Sequence, residues 1–170
     1  NPKAQIAVIG CFAQNEAQKI AQLPGVSFVI GNHNKHNLLE YVNSGTPSPL
    51  IDTHQPESFE PAYSCGDRTR TFFKIQDGCD YFCSYCAIPF ARGRSRSATI
   101  DETIAVAHEI ANSGTKEVVL TGVNTGTFGQ THNEHFIDLL RELDKINGIQ
   151  RFRISSIEPN LITPEIIDFV

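Results

Sequence analysis

Methionine is absent from all 170 residues, and the chain opens on Asn1-Pro2 and stops at Val170, inside what reads as the first turns of a helix. Both ends read as cuts, so a piece excised from a longer protein is expected. No apolar run approaches the roughly 18 residues that cross a bilayer, and no N-terminal stretch reads as a signal peptide. A spanning helix is excluded, and a soluble, cytoplasmic protein is expected. A strong positive balance is missing too: the formal charge of -5 is not the footprint of a protein that coats nucleic acid over its whole surface. Nor is the cysteine count even. Five cysteines, three of them within eight residues, do not fit the disulfide framework of a small secreted domain. Thiols crowded in a reducing compartment more often hold metal.

What is present supports a packed core, since hydrophobic residues make up 40% and charged residues 19%. Ala4 to Ile9 and Val26 to Ile30 read as short buried strands, with helices around Asn15 to Leu23 and Asn34 to Val42. That alternation indicates a parallel sheet with helical crossovers over residues 1–45. Pro47, Pro49, Pro56 and Pro61 then interrupt all periodicity, so residues 46–69 read as a linker.

From residue 70 to 170 the alternation returns. Thr71 to Gln76, Glu117 to Thr121 and Arg151 to Ser155 read as strands. Thr99 with Glu102 forms a capping box before a helix that places Ile100, Ile104, Ala107 and Ala111 on one face. Phe136, Leu139, Leu140, Leu143 and Ile146 stripe a second helix, and Thr163-Pro164 opens a third. Such βα units in series make a doubly wound sheet or part of a (β/α) barrel, and both put ligands at the C-terminal strand ends. The loops after Gln76, Thr121 and Ser155 are therefore expected on one edge.

The first of these loops carries Cys79, Cys83 and Cys86 in the spacing C-x3-C-x2-C. Three thiolates so close can hold three corners of a cubane iron–sulfur cluster. A fourth iron then stays open to a substrate's amino and carboxylate groups. A structural zinc site would need a fourth ligand from elsewhere, such as Cys65 or a histidine, and three inert buried thiols form the remaining alternative.

C-x3-C-x2-C after the first strand of a βα series resembles the signature of the radical S-adenosylmethionine (SAM) superfamily. The wider run from Lys74 to Cys79 and from Cys86 through Pro89, Arg92-Gly93, Arg94-Ser95 and Arg96-Ser97 looks like its methylthiotransferases, as do Glu117 to Asn124 and Ile154 to Pro159. The resemblance implies an α/β chain: the first part of a radical SAM (β/α) barrel, preceded by the C-terminal part of a methylthiotransferase N-terminal domain. It also implies a 4Fe-4S cluster on Cys79, Cys83 and Cys86, and a SAM that is reductively cleaved to a hydrogen-abstracting 5′-deoxyadenosyl radical. Thr121, Gly122 and Asn124 would lie near the methionine amino group, Ser155, Ser156 and Glu158 near the ribose and carboxylate, and Tyr85 near the adenine. Gly122 and Ser155 could instead simply close tight strand-end turns.

The same resemblance makes Cys11, in Gly10-Cys11-Phe12-Ala13-Gln14, the last of three ligands of a second, auxiliary 4Fe-4S cluster. Seen alone it would be an ordinary small thiol at a strand end. Its two companion cysteines and the family's C-terminal RNA-binding module are not in this sequence, so the piece alone is expected to be inactive. Cys65 matches no family ligand. Arg92, Arg94 and Arg96, with no acid among them, could meet RNA phosphate, the SAM carboxylate or solvent. The run Arg68 to Cys79, with Leu120 to Asn124 and Ser155 to Pro159, looks most like the branch acting on N6-threonylcarbamoyladenosine in tRNA; other branches act on isopentenyladenosine in tRNA or on a ribosomal-protein aspartate. A tRNA substrate and an external electron donor are thus implied, with a non-enzymatic zinc or iron–sulfur module that docks RNA as the alternative.

Overall fold

The structure is a computed structural model that describes residues 4–44, 50–54, 58–64 and 70–170. The chain divides into two compact units, Asn1–Glu57 with Tyr81–Gly93, and Ser58–Asp80 with Arg94–Val170.

The first unit is a parallel three-stranded sheet in the order β1 (Ile6–Ile9), β2 (Val26–Ile30), β3 (Leu50–Asp52). β2 is the central strand, and Phe28, Val29 and Ile30 are fully buried in it. The segment around Asn15 to Leu23, expected as one helix, is two short ones, α1 (Cys11–Asn15) and α2 (Ala17–Ala21). They part at Glu16, whose φ of -123° and ψ of 32° leave the helical region. Ala13, Ala17 and Ile20 from these turns pack on Val29 to form the unit's core. The next stretch begins as a single 3₁₀ turn over Lys35–Asn37 and continues as α3 (Leu38–Asn43).

β3 lies inside the stretch expected to be a linker. It pairs in register with β2, Ile51 opposite Val29. Tyr41 and Asn34 close on its last residue, donating to Asp52 Oδ2 at 2.5 and 2.6 Å. Tyr81–Gly93 belongs to the same unit and carries α4 (Ile88–Arg92), which packs on α1.

In the second unit β4 (Ala62–Tyr63) runs antiparallel to β5 (Arg70–Lys74), and β5, β8 (Glu117–Thr121) and β9 (Arg151–Ile154) are parallel neighbours in that order. The parallel strands follow one another in space as they do along the chain, with no reversal. The strand expected over Thr71 to Gln76 ends at Lys74. After it, β6 (Gln76–Asp77) forms a separate two-residue pairing with β7 (Arg96–Ser97).

Two helices cover one face of this sheet. α5 (Ile100–Asn112) starts at the expected capping box, Thr99 accepting from Glu102 N and Glu102 Oε2 accepting from Thr99 N at 2.9 Å. α6 (Phe136–Asp144) buries its stripe of Phe136, Leu139, Leu140 and Leu143. Together with Phe73, Ile75, Val118 and Leu120 these side chains make one core. At about 25 cal/mol per Å² of apolar surface, burial of this order dominates the unit's stability. α7 (Pro164–Phe169) is capped by Thr163 as expected, and Ile166 joins the core. Among the described residues no helix is long and apolar enough to cross a membrane.

Candidate functional site

At the C-terminal ends of the second unit's parallel strands, a polar cluster is built from the outset of each loop. Gln76, 1% exposed, reaches from β6 to the turn after β8, where its Oε1 accepts from Val123 N at 2.8 Å and from Asn124 N at 2.9 Å. That approach explains Gly122. A Cβ there would lie 2.8 Å from Gln76 Oε1 and 3.1 Å from the Gln76 backbone oxygen, so no side chain fits. Gly126 is constrained likewise, because a Cβ would meet Leu161 Cβ at 2.6 Å.

Asn124 is 2% exposed and ties the second loop to the third. Its Oδ1 accepts from Glu158 N at 3.2 Å, while Thr125 N donates to Ser156 O at 2.9 Å. Ser156 takes a φ of 60°, a left-handed conformation unusual for serine, at the tip of that third loop. Ser155 is half-buried and Glu158 exposed. The structure thus gathers five of the expected contact residues, Gly122, Asn124, Ser155, Ser156 and Glu158, around one strand edge, with Thr121 closing β8.

One donor in this cluster is left over. Asn124 Nδ2 is buried and has no hydrogen-bond partner among the described residues. A buried amide proton without an acceptor costs about 1–3 kcal/mol, so such a group calls for an acceptor, either an ordered water or a ligand oxygen. An α-amino acid carboxylate or a nucleoside hydroxyl would satisfy it.

The cysteine loop begins in this unit with buried Cys79. Cys83, exposed, and Cys86, half-buried, lie in the segment assigned to the other unit. A turn closes between them, Cys86 N donating to Cys83 O at 3.0 Å. None of the three is in a disulfide. Among the described residues no group of three His, Cys, Asp or Glu side chains is gathered as a metal site. By its chemistry the donor set suits an iron–sulfur cluster: three thiol side chains within eight residues of sequence, none of them in a disulfide. Around Cys83 and Cys86 an open depression is lined by Phe82, Tyr85 and Phe90. Tyr85 is 91% exposed, and Phe82 meets Phe90 edge-to-face at 5.7 Å.

In the first unit Cys11 starts α1 and is half-buried. Asn32 Nδ2 donates to Cys11 Sγ at 3.6 Å and to Ala91 O at 2.7 Å, which ties the thiol to α4. Gln14 secures the same corner, accepting from Asn32 N at 3.0 Å. Cys65 lies outside the described residues.

The arginines separate by role. Arg94 is largely exposed and pairs with Asp80 at 3.4 Å. Arg96 is occupied structurally: it pairs with Asp77 at 3.5 Å, both side chains 12% exposed, and donates to Ser58 O and Arg94 O. Arg92 is half-buried at the end of α4. The sequence reading missed Gln76, Asn32 and Asp77. The one available signal was an amide and an acid ending a strand directly before Gly78 and the first cysteine.

The sequence pattern of the radical SAM superfamily matches residues 73–170. Over nearly its whole length the chain is similar to curated methylthiotransferases. It is 39% identical over 179 residues to threonylcarbamoyladenosine tRNA methylthiotransferase MtaB of Bacillus subtilis (strain 168), covering 99% of this chain and 39% of that protein. The MtaB of Chlamydia pneumoniae is 36% identical over 166 residues, covering 98% of this chain and 37% of the relative. The tRNA-2-methylthio-N(6)-dimethylallyladenosine synthase of Ruegeria sp. (strain TM1040) is 32% identical over 177 residues, covering 98% and 40%. The chain therefore spans about two fifths of the length of the curated relatives it matches.

Proposed function

The chain belongs to the radical SAM superfamily, and on that premise we propose that the protein carrying it adds a methylthio group at C2 of N6-threonylcarbamoyladenosine near the anticodon of tRNA. The observation that carries this reading is the C-x3-C-x2-C loop leading out of the β5–β6 strand end, together with a buried Asn124 amide at the next strand end that has no partner among the described residues. The likeness to the two MtaB proteins supports the threonylcarbamoyl substrate.

Cys79, Cys83 and Cys86 hold the 4Fe-4S cluster in this reading. When bound, the cluster and SAM supply one-electron cleavage of a carbon–sulfur bond and hydrogen-atom abstraction; the protein's share is binding, orientation and exclusion of water. Asn124 Nδ2 donates to the ligand. Gly122, by having no side chain, lets the Thr121–Asn124 turn close against Gln76. Ser155, Ser156 and Glu158 offer hydroxyls and a carboxylate to ribose and amino groups, and Tyr85 offers an exposed ring for stacking. Arg94 is the arginine best placed to meet RNA phosphate, since Arg96 is committed to Asp77. Cys11, oriented by Asn32, is one ligand of an auxiliary cluster, making two clusters in the protein. The second unit is the first half of a (β/α) barrel, and the first unit the end of an N-terminal domain. An external electron donor and a cytoplasmic setting, where tRNA is found, complete the assignment.

The test is mass spectrometry of tRNA nucleosides from cells lacking the protein. Loss of 2-methylthio-N6-threonylcarbamoyladenosine with the isopentenyl derivative intact is expected. The reverse pattern would move the substrate to that of the dimethylallyladenosine synthase relative, and no change in either nucleoside would refute a tRNA substrate.

A further inference from the structure

The hydrogen bonds of Gln76 form part of a closed circuit whose hydroxyl steps have a determinate direction. Asn124 N–H donates to Gln76 Oε1 at 2.9 Å, and Gln76 Nε2 donates to Ser95 Oγ at 3.0 Å. Ser95 and Thr127 hydroxyls meet at 2.6 Å, and Thr127 Oγ1 lies 2.8 Å from Asn124 O. A carbonyl only accepts, so Thr127 must donate to Asn124 O, and Ser95 must then donate to Thr127. The circuit returns to Asn124, the residue it started from. Every member is buried: Gln76 1%, Ser95 6%, Thr127 4% and Asn124 2% exposed. Gln76 Nε2 also lies 2.8 Å from Gly78 O and 2.9 Å from Asp77 O, its two protons shared among three acceptors, and Gly78, one residue before Cys79, ties the circuit to the start of the cysteine loop.

A buried ring of this kind is costly unless every group is satisfied, and once satisfied it rigidifies what it holds. Here the backbone N–H and C=O of Asn124 are both fixed by it, while Asn124 Oδ1 is fixed by Glu158 N. Among the described residues, the polar atom of Asn124 left without a partner is the buried Nδ2. We propose that the Gln76–Ser95–Thr127 circuit is a positioning device for ligand recognition: it holds Asn124 in one orientation and keeps that donor aimed at SAM, in register with the first cysteine. Ser95 and Thr127 touch no ligand in this scheme and act through Asn124. The inference rests on the proposed use of SAM.

Thr127→Val and Ser95→Ala each break one hydroxyl step with little change in volume. Both variants are prepared in the anaerobically reconstituted protein, and SAM is titrated against the electron paramagnetic resonance spectrum of the reduced cluster. Each is expected to keep its iron and to shift the SAM midpoint upward by about fivefold or more, the loss of roughly one hydrogen bond's worth of orientation. The double variant is expected to be no worse than the weaker single variant, because a ring already broken cannot be broken again. Thr127→Ser, which keeps the hydroxyl, is expected to restore the midpoint. General destabilisation would lower the signal amplitude per chain and leave the midpoint where it was; that result, or two fully additive shifts, overturns the proposal. Failure of the underlying reading is separately visible: the unaltered protein would then bind no cluster, or its spectrum would not respond to SAM.

Discussion

Asn124 offers a substitution in which stability and ligand affinity should separate. Asn124→Leu keeps approximately the same volume and removes both polar atoms of the side chain. Without ligand, the protein loses the Glu158 N to Asn124 Oδ1 bond at 3.2 Å, worth about 1 kcal/mol, and sheds a buried donor with no partner, which costs about 1–3 kcal/mol. The two effects oppose each other, so the stability of the metal-free protein should change by less than about 1 kcal/mol, or rise. With SAM present the balance differs. The wild-type donor is satisfied by the ligand and the variant has none to offer, so the dissociation constant should rise by the same 1–3 kcal/mol, about 5- to 150-fold. Thermal unfolding of the metal-free protein, and SAM binding to the reconstituted protein, read the two quantities independently. A variant that loses several kcal/mol of stability, or that binds SAM as tightly as the wild type, would refute the assignment of the orphan amide to the ligand.

Two further outcomes follow from the packing. In the first unit, burial pushes the Asp52 carboxyl up, but hydrogen bonds from Tyr41, His54 and Asn34 outweigh it and bring its pKa from 3.8 down to about 2; the same Tyr41–Asp52 bond pushes the Tyr41 hydroxyl up to about 12. A depressed carboxyl stabilises the fold above its unfolded pKa and loses that contribution as pH falls toward the folded one. Tyr41→Phe should therefore cost about 1 kcal/mol at pH 7, after allowance for solvent screening, with the deficit shrinking between about pH 4 and pH 2; a deficit constant over that range in urea unfolding would contradict this. In the second unit, Thr99→Ala removes the N-cap of α5 and should lower Tm by roughly 2–4 °C, whereas an unchanged Tm would mean the capping box carries no weight.

The parts of the fold that local pattern controls were legible in the sequence. α5 announces itself through its capping box, α6 through an apolar stripe of which Phe136, Leu139, Leu140 and Leu143 fall within the helix and Ile146 just beyond its end, and β8 through Val118-Val119-Leu120 between polar ends. What was not legible depends on distant pairing. β3 is three residues lying between Pro49 and Pro56, with no period to detect, and only the edge of β2 makes it a strand. The split at Glu16 is a backbone excursion that no residue type there demands. The site divides in the same way. The cysteine loop is visible because three ligands are close in sequence. The Gln76 circuit is not, because its members come from positions 19 to 51 residues away from Gln76. Arg96 illustrates the consequence: read within its own run it is a free cation, yet its carboxylate partner, Asp77, stands 19 residues earlier.

The most direct test of the whole account is the iron and SAM chemistry of Cys79, Cys83 and Cys86. Reconstituted without oxygen and reduced, the protein should be brown, hold about four irons on this cysteine set, and cleave SAM to methionine and 5′-deoxyadenosine. Cys83→Ala should abolish both that iron and the cleavage. Tightly bound zinc with no cleavage, or cleavage that survives Cys83→Ala, would contradict it.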